Sequence, residues 1–202
     1  IWKCMGVEER MADRCNTIRL YSFQTDVVYQ VLKRDGVCYS KEEYVRKKYK
    51  ESAKVFINAY GWFVKEAQHI VPKPEGAEYP YWAFKDLYNV DQTGDGHVLT
   101  LDVPIGEAIL FDMFDWTKIM QMHYIGENES EESAFSEELK NMGMSEFQIM
   151  TSNFYPEQKA RIQESWKRLF GHQQAIEAGD NSGVHSVQAG LWCIKDEWIV
   201  KE

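Results

Sequence analysis

The chain has 202 residues, 44% of them hydrophobic and 14% aromatic, which suits one folded domain with a sizeable core and excludes wholesale disorder. A formal net charge of −9 argues against avid, sequence-blind binding to a phosphate backbone, which needs a basic face. No apolar run approaches the roughly eighteen residues of a spanning helix, and the opening residues do not read as an export signal. The expectation is a soluble, cytoplasmic protein with no membrane partner. Residues 1–16 read as an extension, 17–126 as an N-terminal half, 127–143 as an acidic insertion and 144–202 as a C-terminal half, all within a single domain.

In the stretch 17–24, Ile18, Leu20 and Ser22 alternate with Arg19, Tyr21 and Phe23, which predicts a strand with one polar, aromatic face. Thr25 or Asp26 then caps a short helix carrying Val27, Val28, Val31 and Leu32, stopped by Asp35 and Gly36. Residues 36–39 read as a second short strand. Ser40 and Glu43 have capping-box spacing and open a helix that reaches about Ile70, with Val55, Phe56, Ala59, Trp62, Phe63 and Ile70 as its buried stripe. Pro72 and Pro74 end it. Next comes an aromatic cluster, Tyr79, Tyr81, Trp82 and Phe84, tied to Pro80. Proline removes a donor and biases its predecessor toward extended geometry, so a turn or irregular segment presents these rings. They either plug a core or wall a pocket for a flat ligand.

Residues 97–103 and 108–111 read as strands, and 112–124 as a helix with Trp116, Ile119 and Met120 inward. The acid-rich 127–143 reads as a helix or mobile insertion, the least core-like part of the chain. Pro156 suits the first turn of a helix bearing Ile162, Trp166, Leu169 and Phe170. A loop at 179–183 leads into a strand at 187–194, with 198–200 continuing or pairing with it. The predicted fold is α+β: a small mixed or antiparallel sheet, open to being split, flanked by helices and carrying an acidic helical insertion.

Metal sites are not expected. Cys4, Cys15, Cys38 and Cys193 make no C-x-x-C pair, and the five histidines form no H-E-x-x-H motif. Asp91, Thr93, Asp95, Gly96, Val98 and Asp102 fall at calcium-loop offsets, but Leu99 and Pro104 fit a glycine–aspartate turn running into a strand. Arg19, Tyr21, Ser22 and Gln24, with Tyr39 and Ser40 beyond, offer a guanidinium, hydroxyls and an amide to an anionic, ring-bearing ligand. A solvated strand edge accounts for the same residues. Asp112 and Asp115 read as helix-start acids. Ser186, Gln188, Lys195, Asp196 and Glu197 surround Trp192 and Trp198 near the C-terminus, as either a site or a surface cluster.

Taken together, the 20–24 strand, Gly36-Val37, Tyr79 to Trp82, 101–104 with 114–116, 188–194 and Glu197-Trp198 resemble an uncharacterised bacterial domain family without an assigned activity. The layout is also similar to ADP-ribosyltransferases, including toxins of phage-defence and toxin–antitoxin systems. That resemblance implies a split α+β sheet and NAD as a substrate, with no metal. The acceptor would be nucleic acid or protein, and a cognate antitoxin a partner. It implies Arg19, with Tyr21, Ser22 and Gln24, as the first-strand anchor for NAD, and Tyr81 and Trp82 as the aromatic wall. Tyr39 would be the stacking or hydroxyl-bearing aromatic, and Glu197 the catalytic acid. The alternative is a non-catalytic module gripping a nucleotide or peptide through Tyr79, Tyr81 and Trp82.

Overall fold

The computed structural model describes residues 16–43, 46 and 53–201. Strand β1 (Thr17–Gln24) has the expected alternation, with Leu20 and Ser22 buried and Arg19 exposed. Helix α1 (Asp26–Asp35) buries Leu32 and ends at Gly36, whose φ of 75° is the left-handed geometry that glycine adopts without strain. Val27 is exposed rather than part of the buried stripe. Strand β2 (Val37–Tyr39) follows. Just after Ser40 the backbone N–H of Glu42 donates to the Glu78 carboxylate at 2.8 Å, and much of the helix expected to open there lies outside the described residues.

Helix α2 (Ala53–Ala67) buries Ala59, Tyr60, Trp62, Phe63 and Ala67. It stops before Ile70, which is exposed. Strand β3 (Tyr81–Phe84) carries Tyr81, Trp82 and Phe84, and Tyr79 bridges Ser40 just before it, so paired extended backbone presents these rings and not the expected turn or irregular segment. Strands β4 (His97–Pro104) and β5 (Ala108–Asp112) come next, then helix α3 (Met113–Met120). Helices α4 (Glu129–Asn141), α5 (Glu146–Thr151), α6 (Pro156–Ser165) and α7 (Gln173–Glu177) precede β6 (Val187–Leu191) and β7 (Cys193–Lys195).

The fold is α+β. Five strands form an antiparallel sheet in the order β4-β1-β3-β6-β5, and β2 pairs antiparallel with β7 in a separate two-stranded sheet. The predicted 187–194 strand is therefore two strands broken at Trp192, one in each sheet. Residues 198–200 pair elsewhere than expected: Ile199 bridges Leu101 and Val200 donates to Thr100, closing the β4 edge. At the other edge Gln173 takes the place of a neighbouring strand. Its side chain accepts from Leu110 N–H at 2.5 Å and donates to the Ala108 carbonyl at 3.1 Å.

Because neighbouring strand residues alternate, the large sheet buries two different faces. One face (Leu20, Leu101, Tyr81, Ala83, Ala189, Leu110) packs under Leu32, Cys38, Ile194 and Trp198. The other supports the aromatic core of Phe63, Trp82, Phe111, Trp116, Trp166 and Trp192. Phe63 can approach that closely because residue 190 is glycine; a Cβ there would lie 2.8 Å from its ring. The acid-rich segment is a helix, the first of the two forms expected for it, and α4 packs against this core. Phe135 and Leu139 are buried in it, and Glu138 pairs with Arg161 at 2.6 Å. Among the described residues no helix is long and apolar enough to cross a membrane.

Candidate active site at one end of the sheet

The β1 and β3 residues nominated for NAD are neighbours, since Tyr21 pairs with Phe84, but alternation divides them between faces. Arg19, Tyr21 and Trp82 point to one side, Ser22, Gln24 and Tyr81 to the other. Ser22 is fully buried; its hydroxyl donates to the Trp82 carbonyl at 2.7 Å and accepts from Gln24 Nε2 at 2.8 Å. Tyr81 is buried with its hydroxyl 3.1 Å from Cys38 Sγ. The Trp82 indole donates to Tyr60 Oη at 2.8 Å and packs edge-on to Phe63 and Phe111. Arg19 forks onto Asp102 at 2.5 and 2.8 Å. The rings around Pro80 are thus core plugs, the first of the two roles open to them. The side-chain hydrogen bonds of Arg19, Ser22 and Gln24 are turned inward or onto a neighbour.

Tyr39 and Glu197 are also apart. Tyr39 faces Cys193 at one end of the β2–β7 ladder, its ring against Gly76, while Glu197 follows Lys195 beyond the other end, exposed on a 3₁₀ turn. The eight nominated residues therefore do not gather around one cavity. At the calcium-like segment, Asp91 Oδ1 accepts from Thr93 N–H and hydroxyl at 3.0 and 2.6 Å, and the chain runs on as β4. Among the described residues no group of three or more His, Cys, Asp or Glu is arranged to hold a metal ion.

A more reactive arrangement lies where β5 ends and β6 begins. Asp112 caps α3 by accepting from Phe114 N–H at 3.0 Å. The same buried carboxylate accepts from the backbone N–H of His185 at 3.0 Å and of Ser186 at 3.4 Å, and binds His185 Nδ1 at 2.8 Å. Burial would raise its pKa, but the backbone N–H groups of His185 and Phe114 and the imidazole outweigh this and hold it below the usual carboxylate range. A charged carboxylate accepts only, so Nδ1 carries a proton, and in the neutral imidazole Nε2 is then the acceptor. The imidazole is largely exposed and lies on Phe114, ring centroids 4.8 Å apart.

The surroundings of the pair are held firmly. Ser186 is buried and its hydroxyl accepts from Asn89 Nδ2 at 2.6 Å, with Asp86 Oδ2 at 3.4 Å, so the 3₁₀ turn 87–89 is locked beside it. Asp115, one turn into α3, has its carboxyl pushed up by burial despite Lys118 at 3.8 Å. A rigid anionic acceptor behind an exposed imidazole is the geometry of an oriented general base. Sequence reading recognised Asp112 as a cap and passed over His185. The one available signal was a histidine followed by serine just before a strand, and its partner is 73 positions away.

Residues 19–200 match the family described as a domain of unknown function, DUF3841. The chain belongs to that family. It bears out the resemblance to an uncharacterised domain family, and the match takes in β1 from Arg19 on, both members of the Asp112–His185 pair and Glu197. No curated protein and no solved structure gives a significant match.

Proposed function

We propose that this protein is an enzyme transferring ADP-ribose from NAD to a nucleophile, with His185 as the general base. The reaction class comes from the resemblance to ADP-ribosyltransferases, and a sheet divided into five-stranded and two-stranded parts supports it. The observation that carries the assignment of the base is the 2.8 Å contact between a buried, charged Asp112 and Nδ1 of an exposed His185. In this reaction the ribose C1–nicotinamide bond breaks and its electron pair leaves with nicotinamide. The acceptor heteroatom bonds to C1, and its proton passes to His185 Nε2. Asp112 then faces an imidazolium and stabilises the charge. The sugar passes through an oxocarbenium-like state, as in glycoside hydrolysis.

The alternative, a binding module gripping through Tyr79, Tyr81 and Trp82, would need another surface. Tyr79 and Tyr81 are buried, and Trp82 is enclosed by Tyr60, Phe63 and Trp116. The test is to incubate the protein with labelled NAD and a bacterial lysate, then separate protein, RNA and DNA. The expected result is label in one fraction with nicotinamide released, both reduced about 10²–10⁴-fold by His185→Ala, the range of a lost general base. A folded wild-type protein that neither transfers label nor releases nicotinamide would end the proposal. Glu197→Gln at full activity would remove that residue from the mechanism and leave His185 standing.

A further inference from the structure

Three exposed apolar side chains belong to the segments beside the Asp112–His185 pair. Phe114 is 50% exposed, Leu87 45% and Tyr88 80%. These residues lie on two sides of one spot. The 87–89 turn is fastened to Ser186 through Asn89, and Phe114 stacks on His185. Large exposed apolar side chains grouped in this way mark interaction sites, and aromatic residues supply most of the binding energy at such sites.

The charge of the same spot decides what can sit there. Asp86 lies beside Ser186 and charged Asp112 beneath His185, with Asp115 following on α3. Against these stand Lys118, tied to Glu132 at 2.6 Å and Asp115 at 3.8 Å, and Lys85, which precedes Asp86 and bonds Val187 through its backbone, so acids outnumber free cations at the spot. The whole chain carries −9. Phosphates would be repelled by this surface, whereas guanidinium and ammonium groups would be drawn to it.

We infer that this end of the sheet docks a basic polypeptide segment bearing an aromatic or aliphatic side chain, so that the acceptor for His185 is a protein and not a nucleic acid. The acceptor assignment rests on the transferase reading; the docking surface does not. A fluorescently labelled peptide of alternating arginine and glycine with two phenylalanines serves as the probe. Controls are the same peptide with glutamate for arginine and a single-stranded oligonucleotide of similar length. Anisotropy should show the basic peptide binding at low salt and neither control binding comparably. Tyr88→Ala and Leu87→Ser, both exposed enough to leave the fold intact, should each weaken it about tenfold, the scale of an interface anchor. An oligonucleotide bound as tightly as the peptide, or peptide affinity unchanged in both variants, would overturn the inference. Peptide binding without any NAD turnover would uphold the docking surface and count against the transferase alone. Label transferred only to nucleic acid would uphold the base and refute the protein acceptor.

Discussion

The aromatic strand β3 and the β5–β6 end of the sheet stand in opposite relation to solvent. Around β3 the conspicuous groups are absorbed: Tyr81 by Cys38, Trp82 by Tyr60 and three other rings, Ser22 by the Trp82 carbonyl. At the β5–β6 end one member of the pair is buried and charged while the other is exposed. The difference shows that density of unusual residues is a packing signal. Reactivity needs a group held from behind and free in front.

Substitution should separate the two regions most sharply in stability. Trp82→Ala removes a half-buried indole packed against the aromatic core and is expected to cost about 3–5 kcal/mol, read from the denaturant midpoint. His185→Ala, at an exposed ring, should stay within about 0.5 kcal/mol of wild type. Comparable losses in the two variants would erase the distinction.

Asp112→Asn should fall between these, at about 1–3 kcal/mol, because buried N–H groups lose a charged acceptor. Its pH dependence sharpens the contrast with Asp115. The Asp112 pKa is depressed in the folded protein, so its contribution is present above the ordinary aspartate value of about 3.9 and is lost as pH falls through the lower folded value. Asp115 is shifted up by burial, so its contribution is full below that value and is lost as pH rises through the folded pKa. Asp115→Asn should therefore gain on wild type as pH rises from 3 towards neutrality, while Asp112→Asn loses ground over acid pH. Parallel curves for the two variants would mean the environments are misassigned.

Gln173→Ala leaves the Leu110 N–H unpaired inside the β5 edge and should cost about 1–3 kcal/mol without altering chemistry at His185. The smallest effect belongs to Glu138→Gln. Its exposed pair with Arg161 holds the outside of α4, while Phe135 and Leu139 hold the inside, so no resolvable change in midpoint is expected.

Much of the framework could be read from residue patterns. Alternation marked β1, Gly36 stopped α1, Pro156 opened α6 and the α+β class followed. What escaped has tertiary causes. Helix α4 read as the least core-like part of the chain because its glutamates outnumber Phe135 and Leu139, yet those two sit one turn apart and pack into the core. The strand through Trp192 read as continuous because apolar residues run through it, although the chain changes sheets there. Alternation placed Ser22 with Leu20, as found; what misled was grouping Ser22 and Gln24 with Arg19 and Tyr21 as one ligand-binding set by polarity, since parity along the strand divides them between faces. The Asp112–His185 pair was invisible for a simpler reason: strand pairing of β5 with β6 creates it, and no local pattern encodes that pairing.

The most direct test of the central claim is chemical rescue. His185→Ala should be nearly inactive in single-turnover transfer from labelled NAD, and added free imidazole should restore a substantial part of the rate in a concentration-dependent way. Tyr88→Ala should show no such response. A folded His185→Ala protein that transfers label at the wild-type rate, with or without imidazole, would contradict the account.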